Sequence, residues 1–393
     1  MRTLASTSNR GSSILGACRF LLLAGLCQLS AGALAAPQWN ESSAQRIDAN
    51  LSSLMQEGGV VGMAFGVVLD QEMVFASGYG LRKLGEEGPI TERSVFHWAS
   101  VSKPFVATAI MQLVEREQLA LDDRLSVLLP YFRMADDRYR HITVRQLLTH
   151  TSGMPDVEDY GWNNPQFDDE ALKRWALEQS GAELLFAPGT SREYSNLGFE
   201  VLGLIVQEVS GVSFERYMQE EIFQPLKMGN SSFVANEIDP GLRTTGHIGT
   251  PTRRVADAYP YNRRHAPSST LNTNVIDIGR FAIAMLNHGA LEDARIMGEE
   301  TLAMMWLPAW TNPEDPSRQA GLSWNLGRRW GGLQIVSHGG HDDGFRSFLA
   351  IAPEEGVAVF VVSNDDNAPV GPFILAALEV LFPEQAAAEV NKD

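Results

Sequence analysis

Two apolar runs at opposite ends of the chain constrain its fold most: Val60 to Leu69, rich in small and β-branched residues, and Val357 to Ser363. Short apolar runs bounded by turn residues predict buried strands. Asp70-Gln71-Glu72 predicts a turn and Met73 to Ala76 a returning strand, so the first run opens a hairpin. Gln334 to Ser337 and Arg346 to Ile351 read as two more strands, and Pro353-Glu354-Glu355-Gly356 turns into the last one. A helix is predicted from about Ser42 to Gln56, apolar at Ile47, Leu51, Leu54 and Met55 and stopped by Gly58-Gly59. Another closes the chain at Phe373 to Phe382. The middle is mostly helical: Thr143 to His150 behind a capping threonine, Asp169 to Gln179, Leu197 to Val209, and a helix capped by Ser213 that runs through Ile222. Strands at both ends with helices between them imply one sheet built from both termini and a helical region, roughly 115–330, inserted into it.

Residues 1–35 stand apart. Arg2, Arg10 and Arg19 precede the apolar run Phe20 to Leu26, and Ala33-Leu34-Ala35 offers a cleavage site. This is the layout of a secretory signal peptide. The apolar run is too short and interrupted for a membrane span, although an uncleaved anchor is the competing reading. Both cysteines, Cys18 and Cys27, fall in this segment, so the mature chain, residues 36–393, is expected to rely on its core and not on disulfides. Its expected location is the periplasm or the medium. A formal charge of −17 with no basic stripe argues against nucleic acid as a partner. No other apolar run is long enough to span a bilayer, and the pattern does not fix the oligomeric state.

Three short motifs carry chemistry. In Trp98-Ala99-Ser100-Val101-Ser102-Lys103-Pro104, proline is tolerated only near a helix start, which places Ser100 at or just before the first turn. A spacing of three brings Lys103 back to the Ser100 hydroxyl. A neutral, desolvated lysine there could take the serine proton, and helix N-terminal amides could receive oxyanion charge. An N-capping serine beside a solvated lysine would give the same pattern.

The second motif is Glu193-Tyr194-Ser195-Asn196, at a loop-to-helix junction. The Tyr194 phenol could pass a proton if a nearby cation lowered its pKa, and Asn196 could bond both a lysine and a substrate amide. An N-capping asparagine beside a packed tyrosine is the alternative. The third runs from Val336 to Phe345 and contains His338-Gly339-Gly340-His341-Asp342-Asp343 at a strand end. Adjacent glycines would leave that edge bare for a substrate main chain, and His338 would add a titratable group. A metal site made from His338, His341, Asp342 and Asp343, or a plain glycine turn, competes with that reading. The loop from Met154 to Phe167 would supply either a pocket wall or an exposed connection.

In this order and separation, Ser100-Val101-Ser102-Lys103, Tyr194-Ser195-Asn196 and His338-Gly339-Gly340 resemble the penicillin-recognising serine hydrolases, in the branch of class C β-lactamases, D,D-carboxypeptidases and related esterases. Leu147 to Pro155, Phe186 to Gly189 and Gly344 to Ser347 add to the resemblance, which covers about residues 42–383. It implies an α+β fold with an antiparallel sheet flanked by helices and an all-helical subdomain, the cleft lying between them. It also implies that Ser100 is acylated, Lys103 is its base, Tyr194 shuttles a proton and Asn196 orients Lys103 and substrate. The oxyanion would be held by the N–H groups of Ser100 and His341, beside Gly340. No metal or organic cofactor is implied.

His338 and Gly339 depart from the Lys-Thr-Gly of the β-lactamases. The change removes a cation and a hydroxyl that bind the β-lactam carboxylate, unless Asp342 or Asp343 keeps His338 protonated. Hydrolysis of an ester or small peptide is therefore expected, with a class C-like β-lactamase or a D,D-carboxypeptidase as alternatives. A non-catalytic binding or sensing domain, or a scaffold tethered by an uncleaved N-terminus, is the reading from another class.

Overall fold

The computed structural model describes residues 36–329 and 332–390. The export pattern and both cysteines lie outside the described residues.

An eight-stranded antiparallel sheet organises the chain. In chain order its strands are β1 (Gly62–Leu69), β2 (Glu72–Gly80), β3 (Trp310–Thr311), β4 (Gln319–Ala320), β5 (Asn325–Arg329), β6 (Leu333–Asp342), β7 (Phe345–Ala352) and β8 (Val357–Ser363). Across the sheet they run β2-β1-β8-β7-β6-β5-β4-β3, so the N-terminal hairpin docks on the last strand. Met63 faces Ser363 and Leu69 faces Val357. Every residue of β1 and β8 is buried, as the two apolar runs require of strands covered on both faces. The hairpin tip, Asp70 and Gln71, takes positive φ at both residues, the twist a two-residue turn needs, without glycine.

The helices that position the site are α1 (Glu41–Gly58), α2 (Ser102–Glu115), α3 (Val144–Leu148), α4 (Ala171–Glu178), α5 (Asn196–Ser210), α6 (Ala266–Ser269), α7 (Val275–Leu286) and α8 (Val370–Leu381). Helix α1 starts at a capping box made by Asn40 and Ser43 and ends at Gly59 in the left-handed region. It packs on α8, α8 lies on β7 and β8, and α7 lies on β1 and β8. Helix α2 is buried from Ser102 to Leu113, so it is a core helix and not an amphipathic one. Phe105 stacks on Phe281 of α7 with ring centroids 3.9 Å apart. Each such fully buried apolar side chain stabilises the fold by roughly 1.5–3 kcal/mol.

Two expectations change. The inserted region ends before Trp310, because β3, β4 and β5 join the main sheet. Strand β6 does not stop at Ser337 but runs through the glycine pair and ends at Asp342, so the motif is the end of a strand and not a plain glycine turn. Among the described residues no single helix is long and apolar enough to cross a membrane.

Candidate active site

The turn that carries Ser100 is built by anchoring both its flanks. Phe96 and His97 pair with Thr273 and Asn272, and the buried Trp98 indole donates to the Thr273 carbonyl at 3.0 Å. Ala99 to Val101 then form a short 3-10 turn leading into α2, with Ala99 at φ 48°, a conformation that is uncommon for a residue with a Cβ. The Ser102 hydroxyl donates to the Ala99 carbonyl at 2.6 Å and accepts the Leu271 N–H at 3.0 Å, which clamps the turn. Ser100 is left half-buried at the cleft.

Lys103 lies one turn on and is fully buried. Its Nζ is 3.0 Å from Ser100 Oγ and donates to Asn196 Oδ1 and to the Ser268 carbonyl, each at 2.6 Å. Burial lowers its pKa to about 7, against the pull of Asp342, Asp156 and Glu200 in the other direction. A neutral amine has two N–H groups and one lone pair. In that form the two carbonyl-type acceptors would take both N–H groups and leave the lone pair to the Ser100 hydroxyl, whereas the protonated amine donates its third N–H there. The solvated-lysine alternative is excluded.

Asn196 is held for this task. Ser195, not Asn196, caps α5, its Oγ accepting the Gly198 N–H at 3.0 Å. This frees the Asn196 side chain, whose Nδ2 donates to Asp156 Oδ1 at 2.9 Å. Asp156 thus puts the Met154–Phe167 loop in the site, and Tyr160 of the same loop lines the cleft. Ser268 reaches Lys103 because α6 packs tightly on α5. A Cβ on Gly203 would come within 2.1 Å of Pro267.

Tyr194 hydrogen-bonds with Ser100, and burial raises its pKa above the ordinary phenol value. The expected lowering by a nearby cation is overturned. Tyr194 is therefore a neutral phenol beside the Ser100 hydroxyl. His150 stacks on its ring.

The glycine motif forms the opposite wall. Strand β5 pairs with β6 only as far as Ser337, so from His338 to Asp342 the side of β6 away from β7 carries no strand. Gly340 serves close approach as well. A Cβ there would lie 2.3 Å from Ser347 Oγ and 2.4 Å from the Trp98 carbonyl, which Ser347 Oγ itself bonds at 2.7 Å. His338 is buried, and its Nδ1–H donates to the Gly339 carbonyl at 2.8 Å. Burial, then the nearby Lys103, pushes its pKa down to about 3. Asp342 does not counter this, because its carboxylate bonds His97 Nε2 at 2.7 Å and the Ser269 hydroxyl. His338 is therefore neutral, with Nε2 left as an acceptor. His341 is exposed at the cleft rim. Among the described residues no three His, Cys, Asp or Glu side chains converge on a possible metal position.

The cleft, about 580 Å³, thus brings together Ser100, Tyr194, Asn196, His338, Gly340 and His341, with Lys103 buried beneath Ser100. The sequence reading missed His150, Asp156, Ser268 and Arg192. His150 and Asp156 flank Met154-Pro155 in a stretch that had a recognisable pattern, whereas Ser268 acts through its main chain and leaves no side-chain signature.

Penicillin-binding protein 4 of Amycolatopsis lactamdurans is 30% identical over 334 residues, 81% of this chain and 84% of that protein. Protein flp of Staphylococcus aureus is 26% identical over 82% of this chain, which spans only 63% of that protein's length. In fold the chain is similar to a penicillin-binding protein from Bacillus halodurans, with a TM-score of 0.70 and 25% identity over 84% of this chain and all of that one. It is also similar to the octameric penicillin-binding protein homologue from Pyrococcus abyssi, with a TM-score of 0.75 and 24% identity over 86% of this chain and 77% of that one. With residues 47–381 matching its family model, the chain belongs to the beta-lactamase family of serine hydrolases.

Proposed function

We propose that this chain is an exported serine hydrolase that acts on an ester or small peptide through an acyl-enzyme on Ser100. The observation that carries the reading is the Lys103 amine, depressed to about 7 and 3.0 Å from Ser100 Oγ. Ser100 Oγ attacks the carbonyl carbon while its proton passes to Lys103. The leaving group departs with that proton, delivered through the Tyr194 hydroxyl. Water then cleaves the acyl ester and restores the Ser100 O–H. The main-chain N–H groups of Ser100 and His341 would hold the oxyanion. The Ala33–Ala35 pattern supports export, with a mature N-terminus near Ala36.

A β-lactamase or D,D-peptidase activity is the second reading, favoured by the 30% identity to a penicillin-binding protein. Against it, His338 carries no charge and Gly339 no hydroxyl for a β-lactam carboxylate. Intact mass of the exported protein, with a p-nitrophenyl ester or a penicillin and with a Ser100→Ala control, separates these. Ser100-dependent ester turnover with little penicilloyl adduct supports the first reading. Rapid penicillin turnover or a persistent adduct replaces it with the second. The absence of any Ser100-dependent adduct or turnover overturns both in favour of a binding domain.

A further inference from the structure

We infer that Arg192 is the residue by which this cleft selects substrates carrying a carboxylate near the scissile bond. The inference rests on Ser100 being the nucleophile and adds a substrate class to that reading.

Arg192 is half-buried and lines the same cleft as Ser100, Tyr194 and His338. Its segment is fixed from both sides. Gly189 N–H donates to the Thr151 carbonyl at 2.7 Å, Glu193 N–H to the His150 carbonyl at 3.0 Å, and Ser195 N–H to His150 Nδ1 at 3.1 Å. The guanidinium is fixed as well, with Nε donating to the Thr149 carbonyl at 3.2 Å and its centre 5.1 Å from the Trp310 ring of β3. That leaves the forked end for a ligand.

No carboxylate is bonded to this head, and the neighbouring Glu193, which acts on it only at a distance, is exposed. Arg253 and Arg263, the latter near the Tyr160 loop, are also largely buried, and each holds a carboxylate at 2.7 Å, Asp365 and Glu215 respectively. Arg192 forms no ion pair among the described residues, and burial lowers its pKa without discharging a guanidinium. The acids around the site are already engaged: Asp342 by His97 and Ser269, Asp156 by Asn196. A planar, pre-positioned, half-desolvated guanidinium suits a carboxylate, which it binds through two parallel N–H donors. His338, being neutral with an acceptor nitrogen toward the cleft, cannot serve that purpose. The anion site has moved from the glycine strand to the opposite wall.

The test uses three esters of one scaffold: neutral, with a carboxylate on the acyl side, and with a carboxylate on the leaving group. They are assayed on the full chain, Arg192→Met, Arg192→Lys, Arg346→Met and Arg318→Ala. Arg192→Met keeps the contact with Trp310, and Arg318 is exposed. Arg192→Met should lower kcat/KM about 10- to 100-fold for one charged ester, mainly through KM, with the neutral ester within about twofold. Arg192→Lys should restore part of the loss, and added salt should weaken the charged ester's advantage. Equal loss on all three esters would make Arg192 a support for Tyr194 and overturn the inference. So would a loss confined to Arg346→Met, since Arg346 lines the same cleft and its Nε donates to the Asp366 carbonyl. If no ester shows Ser100-dependent turnover, the hydrolase reading fails separately. Titration of hippurate against its neutral amide then decides: binding of the acid alone, lost in Arg192→Met, supports the anion site, and its survival in that variant overturns it.

Discussion

The imidazole of His150 lies against the phenol ring of Tyr194, with centroids 4.2 Å apart and planes at 29°, while its Nδ1 accepts the Ser195 N–H at 3.1 Å. His150 is buried with φ at 59°, and burial holds it well below its ordinary pKa, so it is a neutral ring that both stacks and accepts. His150→Leu should strand the buried Ser195 N–H, costing about 1–3 kcal/mol of stability, and loosen Tyr194. The expected result is a kcat drop of about 10- to 100-fold with KM little changed. His150→Asn offers an acceptor without the stack and should recover stability but not kcat. Urea melts and steady-state kinetics on both variants check this, and equal recovery of both quantities would refute a role for the stack.

In the proposed mechanism Lys103 would set the acid limb of the reaction. With its pKa near 7, kcat/KM should rise about tenfold per pH unit below 7 and level off above. Asn196→Asp would place a carboxylate where an amide oxygen now receives the Lys103 N–H at 2.6 Å. Opposite charge raises a lysine pKa, so the limb should move up by about one unit or more, and activity lost at pH 7 should return near pH 9. A profile that does not move would remove Lys103 from the role of base.

Buried bases also make the fold sensitive to acid. His338 has a folded pKa of about 3 against 6.5 in the open chain, so between these values the unfolded state binds the extra proton and stability rises with pH. His338→Gln removes that proton-linked term. The variant should gain on the native chain as pH falls from 6.5 toward 3, by about 1.4 kcal/mol per unit at most. Denaturant melts from pH 7 to 4 measure it, and parallel curves would show that His338 is not held neutral.

Much of this was legible in the chain because it depends on local pattern. The apolar runs of β1 and β8 are buried along their length, and the spacing between Ser100 and Lys103 brings them together on one face. What was not legible depends on distant atoms. Strands β3 and β4 are two residues each, too short to show alternation. The Tyr194 pKa moves opposite to expectation because burial outweighs the Ser100 hydrogen bond and the nearby Arg192, and burial is a property of the whole fold. Asp342 looked available to His338 by proximity in sequence and shares its face of β6, yet four residues of extended strand separate the two by roughly 13 Å. His97, 245 residues away in sequence, takes the carboxylate instead.

The two glycines of the motif should respond differently to a methyl group. At Gly340 it would meet the Trp98 carbonyl at 2.4 Å, Ser347 Oγ at 2.3 Å and Ala99 Cβ at 3.1 Å, and the carbonyl cannot move without moving the turn that holds Ser100. At Gly339 it would meet only Phe348 closer than 3.4 Å, at 3.2 Å, a side chain that can shift by a few tenths of an ångström. Gly340→Ala should therefore destabilise by about 2–4 kcal/mol and cut acylation by at least about a hundredfold. Gly339→Ala should cost less than about 1 kcal/mol and leave the acylation rate within a few-fold. Denaturant melts with burst-phase acylation of both variants test the contrast. Similar behaviour at the two positions would mean that β6 is free to slide against the Ser100 turn, and that the glycine pair serves only to bare the strand for substrate.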